Sequence, residues 1–299
     1  MQLSDIPFTS RQINVNSVNW SVACTGDENS DKVALLMHGF PDIPETWRHQ
    51  LPLLIEQGYR VLVPYLPGYG ESGLVNSSQY YPGNFAKDIP ALLDAMDIEK
   101  VTYIGHDWGA YAGWLFAAAA PERVEKLIAV AIPHYTGLIR ADAKQVYRSR
   151  YILEMALPGS TWLFKRKAMH KLYLLYREWS PDWDIDFNHL QAVKDCLSQH
   201  NSLKAALSYY RTSMRQGATD MQLQKLLKAP INIPVLSIAG IKDGCIGVGS
   251  FEHQNLGPNA DFDSEIILGA GHFCHLERPE AFNPLMMDFL QRDTVKKAA

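Results

Sequence analysis

Six short apolar runs, each closed by a turn and separated by helical stretches, limit what this chain can become. They are Val33–Met37 ("VALLM"), Arg60–Pro64 ("RVLVP"), Val101–Ile104 ("VTYI"), Val124–Ile132 ("VEKLIAVAI"), Ile233–Ala239 ("IPVLSIA") and Glu265–Leu268 ("EIIL"). Continuous apolarity, rather than alternation with polar residues, marks strands covered on both faces, as in parallel sheets. Helical segments stand between them: "ETWRHQLPLLIEQG", "NFAKDIPALLDAMDI" and "GAYAGWLFAAAAP", the last apolar nearly all round and so expected to be buried. This alternation predicts an α/β fold, a mostly parallel, doubly wound sheet. The rhythm stops between about His134 and Lys228, a stretch rich in Tyr, Trp and Met with no good strand candidate. The expected organisation is a core of residues 1–133 and 229–299 with a helical cap, 134–228, inserted into it.

Several function classes are disfavoured. The formal net charge is −4 and Lys and Arg are scattered, so no nucleic-acid partner is expected. The longest uncharged, mostly apolar run, Trp108 to Pro121, is too short to span a bilayer. The opening "MQLSDIPFTSRQINV" lacks the basic start and apolar stretch of a signal peptide, which leads us to expect a cytoplasmic protein. The cysteines Cys24, Cys196, Cys245 and Cys274 form no C-x-x-C and no metal-like spacing, so reduced thiols and no metal are expected. Cys245 and Cys274 each lie two residues from a residue singled out below.

The chemistry concentrates around "IGHDWGAYAG", Ile104 to Gly113. A strand, a tight turn flanked by glycines and a helix make a nucleophile elbow, whose centre is usually Ser; here it is Asp107. Such an elbow calls for an acid and then a histidine further along the chain. Asp243 follows the fifth apolar run in "LSIAGIKDGCIG", and His272 follows the sixth in "LGAGHFCHLERPE". All three positions fall at carboxyl ends of strands, where ligands bind in open α/β sheets. The simpler possibility, that Asp107 only caps the following helix, loses ground to the matching acid and histidine. "HGFPD" after the first run should supply oxyanion donors, the backbone N–H of Phe40 together with that of Trp108. His38 and Pro41 of the same loop are expected to line the substrate pocket.

Together "HGFPD", "GHDWGA", Asp243 and the "GAGHF" histidine resemble the epoxide hydrolase and haloalkane dehalogenase branch of the α/β-hydrolase fold, from about Val33 to Leu290. The resemblance implies no cofactor and a small apolar epoxide or halide substrate, on a monomer or homodimer. A carboxylate nucleophile, already ionised at neutral pH, suits attack on an sp³ carbon with a leaving group and gives an alkyl ester. An epoxide oxygen leaves as an alkoxide and needs an acid. The resemblance implies two cap tyrosines for this: Tyr210, from "LSYYRTS", and Tyr147, from "VYRSRY", with Tyr151 one helical turn away as its competitor. A halide would instead want N–H donors; Phe40 stands where such enzymes commonly carry Asn, although Trp162, Trp179 and Trp183 keep that alternative open. A non-catalytic receptor or scaffold on the same fold is the alternative of another class. Two positions depart from the family pattern: Tyr65 where Asp is usual, and Asp42 where Glu is frequent.

Overall fold

The computed structural model describes residues 6–292 apart from 141, 167, 200 and 259. Eight strands form one sheet: β1 (Thr9–Val15), β2 (Val18–Thr25), β3 (Val33–Met37), β4 (Arg60–Pro64), β5 (Val101–His106), β6 (Val124–Val130), β7 (Val235–Gly240) and β8 (Phe262–Ile267). Their order is β1-β2-β4-β3-β5-β6-β7-β8, antiparallel for the first two pairings and parallel from β4 to β8. The mostly parallel sheet is thus as expected, with one addition. β1 and β2 form a hairpin closed by Asn16 and Ser17 at φ 51° and 65°. Positive φ at both central residues matches the turn whose twist suits two strands, although Ser is not the residue that usually signals it.

Along β3, Ala34 and Leu36 join one core cluster and Val33, Leu35 and Met37 the other. Both sheet faces are covered, which is why these strands read as continuous apolar runs. α1 (Leu51–Glu56) and α14 (Pro279–Gln291) pack on one face; α2 (Phe85–Asp94) and α3 (Trp108–Ala119) pack on the other.

Between β6 and β7 the described residues contain helices and no strand: α4 (Tyr135–Leu138), α5 (Ala143–Arg148), α6 (Arg150–Ala156), α7 (Ser160–Arg166), α8 (Ala168–Trp179), α9 (Phe187–Ser198), α10 (Ser202–Gln216) and α11 (Met221–Leu227). Tyr176, Trp179 and Leu190 from this segment join the cluster that also holds α3. The short α12 (Gly249–Glu252) and α13 (Cys274–Glu277) follow β7 and β8. Among the described residues no helix is long and apolar enough to cross a membrane.

The chain steps from β3 outward to β4 and then back across to β5 on the other side of β3. Loops leaving the adjacent β3 and β5 therefore diverge, opening a crevice at the carboxyl edge of the sheet. "HGFPD" and Asp107 leave from those two strands.

Candidate active site

β5 ends at His106, and Asp107 sits on the turn into α3 with φ 52° and ψ −116°. A non-glycine residue here costs of order 1–3 kcal/mol, so its surroundings must hold it. They do: its N–H donates to Val130 O at 3.1 Å, and its carbonyl accepts the Tyr111 N–H at 2.9 Å. The flanking glycines are steric necessities. A Cβ at Gly105 would lie 2.3 Å from Gly109 O, and one at Gly109 would lie 2.1 Å from Met37 O. At Gly39 it would meet Asp107 Oδ1 at 2.5 Å, so that loop can approach the carboxylate only as glycine.

The approach brings the Phe40 N–H to Asp107 Oδ1 at 2.7 Å. Trp108 opens α3, where the first N–H groups have no helical partner. Asp107 Oδ2 faces His272 Nε2 at 3.6 Å, beyond ordinary hydrogen-bond length, while His272 Nδ1 lies 2.9 Å from Asp243 Oδ2. Asp243 in turn accepts the N–H groups of Cys245 and Ile246 through Oδ1, at 2.6 and 2.9 Å. All three side chains are buried. Burial alone would strip His272 of its proton, but the Asp243 and Asp107 carboxylates outweigh it and push its pKa up to about 10. The imidazole is therefore a cation between two carboxylates at neutral pH.

Tyr151 and Tyr210 come to this centre from α6 and α10. Both are buried, with ring centroids 5.9 Å apart. Tyr210 stands edge-on to Phe40 at 5.6 Å and to Trp108 at 5.0 Å. Burial, with the Asp107 charge among the further causes, holds both phenols well above the usual tyrosine range. Tyr209, the preceding residue, spends its hydroxyl on Pro67 O at 3.0 Å.

Tyr147 is not brought to the site. It is 66% exposed, with the Arg150 guanidinium over its ring at 4.1 Å. Tyr147 and Tyr151 would share a face on a continuous helix, but the chain breaks at Ser149, between α5 and α6, and the two residues point apart. His38 is also corrected. It is fully buried, its Nε2 accepts the Leu66 N–H at 3.0 Å, and its Nδ1–H donates to Gly39 O at 2.9 Å, so it braces the loop rather than lining a pocket. Pro41 follows a cis Phe40–Pro41 peptide, and its carbonyl accepts the Tyr176 hydroxyl at 2.6 Å. Of the three tryptophans, Trp162 is on the surface, Trp183 packs on Phe273, and Trp179 stands edge-on to His272 at 5.0 Å.

Sequence reasoning missed a second layer. Asp42 is fully buried and takes the His189 Nε2–H at 2.9 Å, tying the loop to α9. The Arg48 guanidinium reaches His189 Nδ1 at 3.3 Å, so that nitrogen accepts and the proton sits on Nε2. Trp179 O accepts the His272 N–H at 3.0 Å. No local signal announces such contacts, since their partners lie more than 90 residues apart in sequence.

A family model described as the alpha/beta hydrolase fold matches residues 33–279. The chain belongs to that family. Epoxide hydrolase 2 of Siraitia grosvenorii is 38% identical, with 94% of this chain and 97% of that protein covered. Human epoxide hydrolase 4 is 28% identical, covering 90% of this chain and 75% of its own. The crystal structure of epoxide hydrolase A from Mycobacterium thermoresistibile superposes with a TM-score of 0.79 at 24% identity, over 95% and 98% of the two chains, a likeness of fold.

Proposed function

We propose that this chain hydrolyses an epoxide to a vicinal diol through an ester on Asp107. The observation that carries the reading is a pair of buried phenols, Tyr151 and Tyr210, standing over an elbow carboxylate backed by His272 and Asp243. The epoxide hydrolase names of its relatives support it. Residues 134–228 act as a cap supplying both phenols, and residues 1–133 and 229–299 act as the core.

With Oδ1 held by the Phe40 N–H, Asp107 attacks an epoxide carbon through Oδ2. The C–O bond breaks, and the departing oxygen takes a proton from a tyrosine. General acid help of this kind contributes roughly 10²–10⁴ in rate. Once Asp107 is an ester its negative charge is gone, and with it one of the two charges that hold the proton on His272. The imidazolium then gives its proton back to the tyrosinate left by ring opening, and becomes a base. It deprotonates water, hydroxide attacks the ester carbonyl carbon, and the negative charge gathers on Oδ1 beside the Phe40 and Trp108 amides. Collapse releases the diol, with the His272 proton passing to the leaving alcohol oxygen, and the new Asp107 carboxyl then gives its proton to His272, restoring the carboxylate and imidazolium. Losing one oxyanion donor typically costs about 10²–10³ in rate.

The test offers the chain an aryl epoxide and a bromoalkane in parallel, measuring diol and bromide. Diol formation is expected. Bromide without diol would move the assignment to dehalogenation, and neither product would leave a scaffold on this fold. Tyr151→Phe and Tyr210→Phe are each expected to lower kcat/KM by about 10². Tyr147→Phe, on the surface, should stay within about twofold, as exposed substitutions usually do. A loss from Tyr147→Phe matching that from Tyr151→Phe would sink the choice between them.

A further inference from the structure

We propose that the Cys245 thiol is a positioning residue that supports Tyr151 as a proton donor to the opening epoxide; this rests on the epoxide hydrolase reading above. Cys245 is fully buried and its Sγ–H lies 3.1 Å from the Tyr151 hydroxyl oxygen. Its backbone is fixed at both ends. The N–H donates to the triad carboxylate, Asp243 Oδ1, at 2.6 Å, and the carbonyl accepts Gln145 Nε2 of α5 at 2.9 Å. Gln145 also takes the Gly247 N–H at 2.8 Å, so the turn after β7 is sewn to α5, the helix just before the one that carries Tyr151. The thiol therefore has little freedom to point elsewhere.

The direction of the bond follows from chemistry. Burial, with the charges of Asp243 and Asp107, pushes the Cys245 thiol well above its ordinary range, so it keeps its proton. When Tyr151 turns its O–H toward the departing alkoxide, its oxygen is left with lone pairs facing an S–H donor. Donation into that oxygen stabilises the phenolate character that develops as the proton leaves, which makes Tyr151 a better acid at the moment of ring opening than it would be without the thiol. Among the described residues Tyr210 has no thiol neighbour of this kind; Phe40, Tyr151 and the Trp108 indole surround it instead. Two phenols that look interchangeable in sequence are thus chemically distinct.

An S–H donor of this kind can act only on the first step, because ester hydrolysis needs no tyrosine proton. The experiment is single-turnover mixing with an aryl epoxide, quenched and read by intact mass, which gives separate rates for formation and decay of the Asp107 adduct. Cys245→Ala is expected to slow adduct formation about five- to tenfold, the size expected for one lost hydrogen bond, and to leave its decay within twofold. Cys245→Ser restores a donor at the same place and should bring formation back to within twofold. In a Tyr151→Phe background, Cys245→Ala should have no further effect, whereas in Tyr210→Phe its full effect should remain. Equal slowing of both steps, failure of serine to rescue, or persistence of the effect without the Tyr151 hydroxyl would each overturn the inference and leave Cys245 a packing residue. Normal adduct formation in Cys245→Ala defeats this inference alone, while no adduct in the unaltered chain defeats the parent reading and this one with it.

Discussion

His272→Gln is expected to convert this chain from a turnover catalyst into one that reacts once. Nothing in the attack of Asp107 on carbon requires a base, since the carboxylate is already ionised. Hydrolysis of the resulting ester does require one, because water must lose a proton as it adds. The side chain 3.6 Å from Oδ2 and 2.9 Å from Asp243 is the group placed to take that proton. Glutamine fills a similar volume but cannot accept a proton, so kcat should fall by about 10³ or more, within or beyond the usual range for a lost general base. The adduct should appear by intact mass as one added substrate, and peptide mapping should place it on Asp107. An adduct on a peptide without Asp107 would refute the mechanism. The substitution also removes a cation from between two buried carboxylates, a kind of change that typically costs about 3–5 kcal/mol. A lowered Tm should therefore accompany the adduct, and the variant needs assaying well below its own Tm.

Acid should unfold this protein at a pH higher than carboxylate titration alone would produce. Burial holds His38, His106 and His134 down to about 4, and His275 well below its ordinary value, so all four are neutral when folded near pH 6. Unfolded, each would take up a proton near pH 6.5. A group whose folded pKa is depressed stabilises the fold above its unfolded pKa, and that contribution is lost as pH falls toward the folded value. The window is therefore pH 6.5 to about 4, with the unfolded chain binding more protons throughout it. Each group contributes at most about 1.4 kcal/mol per pH unit, so together they reach a slope of about 5 kcal/mol per pH unit, against a typical total of 5–15. His38 shows why the proton is refused: its Nε2 must accept the Leu66 N–H, and protonating it would set two donors against each other. His272 behaves oppositely. With its folded pKa raised, its contribution is complete below about 6.5 and is lost as pH rises through about 10. Urea midpoints measured at pH 7, 6 and 5 should fall steeply, and a midpoint flat over that range would show that these imidazoles are not held neutral. His134→Gln, which removes one of the four, should make the slope shallower.

Legibility in the sequence followed the range of the interaction. Parallel strands buried on both faces leave continuous apolar runs, so β3 to β7 could be read within a few residues, while the edge strand β8 was legible only from its apolar end. The β1–β2 hairpin was missed although Ile13, Val15, Val18, Trp20 and Val22 alternate with polar residues, because its Asn16–Ser17 turn lacks the glycine that usually betrays positive φ. The elbow was legible because three backbones approach within contact at Gly39, Gly105 and Gly109, and only one residue type tolerates that. Asp243 and His272 could be placed beside Asp107 because a strand's carboxyl end is a position readable from a local pattern.

What the sequence determined by itself is the arrangement of the candidate centre: a carboxylate at one strand end, with an acid and a histidine at two others. Tertiary structure alone decided which helical side chains reach it. Four residues separate Tyr147 from Tyr151, and one broken turn at Ser149 sends the first to solvent and the second to the site. Asp42, a departure from the family pattern, finds His189 across 147 residues. Cys245, a small hydrophobe by composition, meets Tyr151 across 94. Strand ends and glycine turns are set by steric limits acting over a few residues. The facing of a cap helix is set by packing against partners far along the chain, and no short window of sequence contains them.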